Sequence, residues 1–369
     1  MATSATVTSD LAVPPGDYLQ EVLEEREMSQ AELARRIGRP VQTVNEIVKG
    51  TKAITRETAL QLEQVLPVGA HIWIALEDAY RLALAKEGEQ EKLESEFGLV
   101  DTAVYRTLAE YGAVPSVAGR SNESRRQRVR ELRKFFGVAS LHNVPDVQSY
   151  RAAFRVSTTG LVEEYAIAAW LCWGEKEAKR HEHLGAYDAK AVSRLVPWLR
   201  SRSLDPEGRW YQDVRQVLAE CGVALVVLPH LPKTRVHGAT FWLPSGRAVV
   251  QLSLRHKRAD IVLFSFFHEI GHLLRHRKRR VYVSWDPERT EYADVQEREA
   301  DEYACEVLIP SAALDAFIGR MDFSQRAIRE FAQEVEVHPS VVLGHLQKQR
   351  YVAPDAMNDL HVYLDFDRG

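Results

Sequence analysis

Residues 261–276 read IVLFSFFHEIGHLLRH. The run Ile261 to Phe267 is apolar apart from Ser265, and it predicts a buried helix. On a helix, positions i and i+4 are neighbours on one face, so His268 and His272 come together. Both can direct a ring nitrogen at one Zn²⁺, at about 2.0–2.1 Å. Glu269 beside them is the candidate general base. It would take a proton from a water made acidic by zinc and pass it to a leaving amine. HExxH fixes only three positions, however, and a helix with two satisfied histidines and a surface carboxylate carries the same letters.

The context weighs against that plainer reading. A catalytic zinc needs a third protein ligand. Downstream, residues 297–301 read EREAD, which puts Glu297 and Asp301 at i and i+4 on a second helix. Glu297 is expected as the third ligand, and Asp301 as the acceptor of a ligand histidine's other N–H. A glutamate ligand on a second helix is the plan of the glutamate zincins. His276 extends the series by a further turn and is assigned to polar packing at the rim. Glu299 and Glu291 are expected to be solvated, and Tyr303 to be core.

Upstream, VALVVL (223–228) reads as a buried strand, and 238–243 and 248–252 as strands around a turn at Pro244-Ser245-Gly246. Residues 97–210 read as mostly helical. One apolar stripe is Val129, Leu132, Phe135 and Phe136; another is Tyr165, Ile167, Ala168, Leu171 and Cys172. The charged segment from Lys86 to Glu96 reads as a helix end or connector.

The N-terminal part has another pattern. Ser29 opens SQAE, a capping box in which Ser29 and Glu32 would satisfy each other's amides. Ala31, Leu33, Ala34 and Ile37 form that helix's apolar face, and Gly38 stops it. Pro40 suits a helix start, and Val41, Val44, Ile47 and Val48 follow at helical spacing. Thr55 is placed to cap a fourth helix through Leu60, Leu62 and Leu66. Two short helices joined through Gly38 match a helix-turn-helix. The polar side of its second helix shows Gln42, Thr43, Asn45 and Lys49. Gln and Asn can bond adenine edges, and Lys a guanine or phosphate. An ordinary helical hairpin with a solvated polar face has the same pattern. Further phosphate contacts would fall to Arg35, Arg36, Arg39 and Lys52.

Composition sets the outer bounds. The chain has 369 residues, 45% hydrophobic and 27% charged, with a net charge of −4. That is enough apolar material for packed domains and excludes wholesale disorder. It also excludes a nucleic-acid-coating protein, while leaving room for a local DNA-reading module. Cys172, Cys221 and Cys305 are far apart, which excludes a cysteine-only zinc site and argues against a disulfide framework. Met1 to Ser9 lack the pattern of a signal peptide, and no apolar run approaches the ~18–20 residues of a membrane span. A soluble, cytoplasmic protein without membrane partners is expected. The basic runs Arg125–Lys134 and Arg275–Arg280 are read as solvated faces, with DNA or an acidic partner as the alternative.

Two resemblances sharpen these readings. PPGDYLQEVLEEREMSQAELARRIG, VQTVNEIVKGTKAIT and ETALQLEQVL, followed by Trp73 and AYRLALA, resemble Xre-type helix-turn-helix domains of the HigA-like antitoxin branch. The resemblance implies a homodimer on operator DNA. GATFWLPSGRAVVQLSLR, FSFFHEIGHLLRH and EREADEYACEVLIP resemble the ImmA/IrrE family of zinc metallopeptidase domains. It implies zinc on His268, His272 and Glu297, with Glu269 as the base. The segment AIREFAQEVEVHPSVVLGHLQKQR resembles the helical tail of such fusions, with His345 where an arginine is expected.

The expected fold is α+β and mainly helical: an N-terminal helix-turn-helix plus a C-terminal zincin-like domain with a small sheet. The expected segments are a flexible tail (1–13), the helix-turn-helix domain (14–86), a helical connecting region (87–210), the metallopeptidase domain (211–322) and a helical tail (323–369). The expected function is a DNA-binding transcriptional regulator, antitoxin-like, whose zinc peptidase domain cleaves a regulatory protein partner. The alternative is a non-catalytic antitoxin whose zincin-like domain binds a toxin.

Overall fold

The computed structural model describes residues 13–151, 161–180, 185–206, 210–276, 280–285 and 295–364. The expected tail, 1–13, lies outside them except for Val13, as do Glu291 and part of the basic run 275–280. The chain divides into two compact units, Met1–Ser95 and Glu96–Gly369.

The first unit is helical: α1 (Pro15–Glu25), α2 (Gln30–Ile37), α3 (Val41–Val48), α4 (Arg56–Val65) and α5 (Ala70–Ser95). Ser29 Oγ accepts from the Glu32 amide, as a cap should. The reciprocal half of the box is replaced: Glu32 turns its carboxylate to Arg35 and Arg36. Gly38 ends α2 at φ +67°, a left-handed conformation that costs glycine little. Thr55 caps α4 as expected. The core forms from Leu19, Leu23, Leu33, Val44, Ile47, Leu62 and Trp73. Val41 and Leu60, expected on the apolar faces, are instead 49% and 56% exposed. Nor does α5 stop at Lys86. Apart from Gly88 and Ser95, the segment 86–95 is made of good helix formers, and it carries the helix on to Ser95.

The second unit holds a four-stranded sheet in the order β1-β3-β2-β4, with β1 (Val223–Leu228), β2 (Val236–Trp242), β3 (Ala248–Ser253) and β4 (Tyr282–Trp285). β1 and β3 run parallel, and β2 is antiparallel to both β3 and β4. The first three strands fall where the sequence reading puts them. β4 is an addition: four residues are too short to show alternation.

Helices α6 (Thr102–Glu110), α7 (Asn122–Phe136) and α8 (Leu161–Arg180) lead to the sheet. Both expected stripes, on α7 and α8, are buried. α8 packs on one sheet face through Gln251, whose amide donates to the Trp170 carbonyl. On the other face lie α10 (Trp210–Glu220) and α11 (Ala259–Arg275), while α9 (Ala189–Ser201) packs on α11. Coverage of both faces explains why all six residues of β1 are buried. α12 (Val295–Leu308) lies along α11, and α13 (Ser311–Gly319), α14 (Gln325–Glu334) and α15 (Pro339–Lys348) complete the same apolar core. The segment 361–364 returns to the start of α11: the Ala259 amide donates to the Val362 carbonyl, and the Leu364 amide to that of Lys257.

The basic run on α7 is tied up within the unit. Arg126 and Arg130 pair with Glu123, and Lys134 with Glu131. Arg133 is buried rather than solvated, and it forms a two-pronged bond with Glu96 at 2.7 and 2.9 Å. Ser140 Oγ and the Leu141 amide also donate to Glu96. Burial alone would raise this carboxyl's pKa, but these donors outweigh it and hold the value below the ordinary one. The described residues contain no helix long and apolar enough to cross a membrane.

Candidate functional site

α11 is the helix of the HEIGH motif, and its burial follows from the apolar run that precedes the motif. His268 and His272 fall one turn apart on it and face α12. Their Nε2 atoms are 2.9 Å apart. Glu297, in the first turn of α12, reaches both: Oε2 is 3.2 Å from His268 Nε2, and Oε1 is 3.3 Å from His272 Nε2. One ligand atom from each of these three residues thus fits within 4.8 Å. Two imidazole nitrogens facing each other at hydrogen-bond distance need a proton or a cation between them.

The other ring nitrogens are held as well. His268 Nδ1 lies 2.8 Å from Asp301 Oδ1. His272 Nδ1 lies 2.9 Å from His276 Nδ1, and His276 Nε2 lies 2.9 Å from Glu299 Oε2. Glu299, read from sequence as solvated, is therefore the end of a chain leading to His272. His276 is 2% exposed at its side chain, and it acts as polar packing behind the cluster. Tyr282 of β4 stacks on the His272 ring at 4.4 Å.

Electrostatics follow from this geometry. Burial disfavours the His268 cation, but bonds to Asp301 and Glu297 outweigh it and raise the pKa to about 10. For Glu297 burial acts upward, yet bonds from His268 and His272 bring the value down to about 2. The cluster is built around positive charge. Two histidines and one carboxylate leave a fourth tetrahedral position open, which fits the donor set of a catalytic zinc.

Glu269 is fully buried. Its Oε2 accepts from Thr240 Oγ1 at 2.7 Å, and its Oε1 from Ser284 Oγ at 2.5 Å. Burial raises its pKa, while the charges of His272 and His268 and the two hydroxyls work against the rise. Gly238 on β2 makes room for it: a Cβ there would stand 2.5 Å from Glu269 Oε1. Sequence reasoning missed Thr240, Ser284, Tyr282 and Gly238, because nothing in the sequence marks which strand lies under α11. His268, Ser284, Glu297 and Asp301 line a cleft of about 610 Å³ that continues along α11, α12 and α15. His345, at the departure from the family pattern, lines this cleft and bonds Gln349.

In the first unit, Gln42, Thr43 and Asn45 lie on α3, and Lys49 caps its end. Gln42 and Lys49 are exposed, and Thr43 and Asn45 are half-buried. Asn45 donates to Gln30 Oε1 at 3.3 Å, and Gln30 donates to Gln20. The same face carries Glu46, absent from the sequence reading, which accepts from Gln42 and Lys52. Arg39 pairs with Glu57 and bonds Gln61.

Comparison with known proteins agrees with both halves. The helix-turn-helix family model matches residues 19–73, and that of the IrrE N-terminal-like domain, of the M78 peptidases, matches residues 222–346. An uncharacterised HTH-type transcriptional regulator, YddM of Escherichia coli (strain K12), is 34% identical over 73 residues, 20% of this chain and 78% of that protein. Virulence-associated protein I of Dichelobacter nodosus is 32% identical over 80 residues, 21% of this chain and 74% of that protein. Among solved structures, an addiction module antidote protein of a HigA family from Coxiella burnetii is 31% identical. It covers 23% of this chain and 94% of its own, with a TM-score of 0.21. The chain belongs to the helix-turn-helix family through its first unit and carries an M78 peptidase-like, IrrE N-terminal-like domain in its second.

Proposed function

We propose that this chain is a DNA-binding, antitoxin-like transcriptional regulator whose second unit is a zinc-dependent peptidase acting on a regulatory protein partner. The observation that carries the reading is the convergence of His268, His272 and Glu297 next to a buried Glu269. A bound zinc would supply Lewis acidity and lower the pKa of water towards about 7. The chain's own residues do the rest. Asp301 holds the His268 ring so that Nε2 faces the site, and His276 does the same for His272. Glu269, pushed upward by burial, is suited to take a proton near neutral pH and give it to the leaving amine. On the DNA side, Gln42, Thr43, Asn45 and Lys49 form the reading face. A homodimer would place two such faces on a two-fold operator, with half-sites about 34–36 Å apart.

The burial of Glu269 also supports the second reading, a domain that binds a toxin or other partner without turnover. The base must reach water, yet its carboxylate already accepts from Thr240 and Ser284. The experiment is a metal determination on the purified chain and a cleavage assay against its genomic-neighbour protein, with wild type and Glu269→Gln. Stoichiometric zinc in both, with cleavage by wild type only, supports the peptidase. Zinc in both, with the same cellular phenotype and no cleavage, leaves the binding module.

A further inference from the structure

The cleft does not end at the histidines. Three helical stripes continue it: Ile261 and Phe264 before His268 on α11, Cys305 and Leu308 after Asp301 on α12, and Val341 to Lys348 on α15. Phe264 carries the wall directly from the metal ligands, its ring centroid 6.2 Å from that of His268. Beyond His268 the wall is therefore mostly apolar, with the paired Arg258 and Asp260 and the side chains of His345 and Gln347 set into it, while the near end is polar.

The rim has a definite charge. Of the acids that line the cleft, Glu297 and Asp301 are engaged with His268, and Asp260 with Arg258. Two exposed cations lie on the rim, Arg298 and Lys348, and neither has a carboxylate partner among the described residues. Lys348 Nζ sits 4.3 Å over the Phe264 ring, at the border between the apolar end and solvent.

We infer that this end of the cleft binds a bulky apolar side chain of a peptide that carries acidic residues beside it. The apolar wall takes the side chain out of water, and Lys348 and Arg298 meet the adjoining carboxylates. A volume of about 610 Å³ accommodates a side chain together with the peptide next to it. The inference rests on the peptidase reading for its biological setting, but the pocket is testable without turnover.

The test uses the full-length, zinc-loaded Glu269→Gln protein and three fluorescent peptides identical except for Leu-Asp-Asp, Ala-Asp-Asp or Leu-Lys-Lys at the centre. Anisotropy should show the first bound roughly tenfold or more tighter than either of the others. Adding Cys305→Phe, which fills the apolar end, should bring Leu-Asp-Asp down to the level of Ala-Asp-Asp. Adding Lys348→Glu, at an exposed position that leaves the core untouched, should reverse the order of Leu-Asp-Asp and Leu-Lys-Lys. Equal affinity for the three peptides, or a ranking unmoved by Lys348→Glu, overturns the proposal. Discrimination by Glu269→Gln, with no cleavage of the partner protein or of any of the peptides by wild type, keeps the pocket and removes the peptidase reading. Cleavage by wild type, with no discrimination among the three peptides by Glu269→Gln, does the opposite.

Discussion

Asp301 Oδ1 lies 2.8 Å from His268 Nδ1, and this bond turns the ring so that Nε2 meets His272 Nε2 and Glu297. The carboxylate thereby fixes both the tautomer and the orientation of a proposed zinc ligand. Asp301→Asn, which removes the charge and keeps the shape, is expected to weaken zinc binding by about 10–100-fold. Competition with a chromophoric chelator would measure it. Unchanged affinity would show that His268 is oriented by packing alone.

Metal binding should depend on pH with a sign that the cluster sets. In the metal-free fold the His268 pKa is raised to about 10, so near pH 8 the ring is protonated, and zinc must displace that proton. Apparent zinc affinity is then expected to rise about tenfold per pH unit between pH 7 and 9. The metal-free fold behaves oppositely. A raised histidine pKa contributes stability that is complete below the ordinary value of 6.5 and lost as pH rises through about 10. Calorimetry in buffers of different ionisation enthalpy should show proton release on zinc uptake. No release at pH 8 would count against a protonated cluster.

Gly238→Ala should separate the base from the metal. Its Cβ would press on Glu269 Oε1 and Cγ, at 2.5 and 2.8 Å, and its three nearest neighbours all belong to Glu269. A misplacement near 1 Å can cost about 100-fold in rate. Zinc content is expected to remain stoichiometric while cleavage of the partner falls by about that factor. Loss of zinc in this variant would mean that β2 supports the ligands too.

The Glu96–Arg133 pair is the strongest stability prediction away from the site. Glu96 is 1% exposed and satisfied by Arg133, Ser140 and Leu141. Glu96→Ala takes the two-pronged carboxylate away from the buried guanidinium and should destabilise the second unit by about 3–5 kcal/mol. Because the folded carboxyl pKa lies below the ordinary value of 4.5, its contribution is complete above that value and lost as pH falls below it. Urea unfolding at pH 7 and pH 4 would check both claims. Equal effects of the mutation at the two pH values would remove the ionic part.

What could be read from the sequence was what is local. HEIGH and EREAD sit at i,i+4 spacing, and one helical period brings their side chains to one face, so the convergence of His268, His272, Glu297 and Asp301 was legible before any fold. Helix caps at Ser29 and Thr55 and the breaker at Gly38 were legible for the same reason. What failed was non-local. β4 contributes Tyr282 and Ser284 through pairing with β2, and sheet order leaves no trace in spacing. Val41 and Leu60 show the converse: helical periodicity gives a face but not its width, and the core was already filled by neighbours one turn away. Glu299 reached His276 only because α12 lies close along α11.

The proposed reading face of α3 carries an acid among its contacts, and this yields the last prediction. Glu46 accepts from Gln42 and Lys52, so phosphate or base contacts by those two compete with it. The donors place its pKa below the ordinary value, and near neutral pH the carboxylate is a full negative charge facing any DNA docked there. Glu46→Gln should tighten binding to all sequences, because repulsion of phosphate is lost and Lys52 is freed to contribute its own counterion release. Asn45→Ala should act differently. It removes a side chain that can read adenine, and it should cost about 1–3 kcal/mol on the operator while leaving non-specific binding unchanged. Titrations of operator and random duplexes over a range of salt distinguish the two: Glu46→Gln shifts both curves together, and Asn45→Ala shifts only the operator curve. An operator affinity indifferent to Asn45→Ala, and a Glu46→Gln protein no tighter on either duplex, would move the DNA contact off α3.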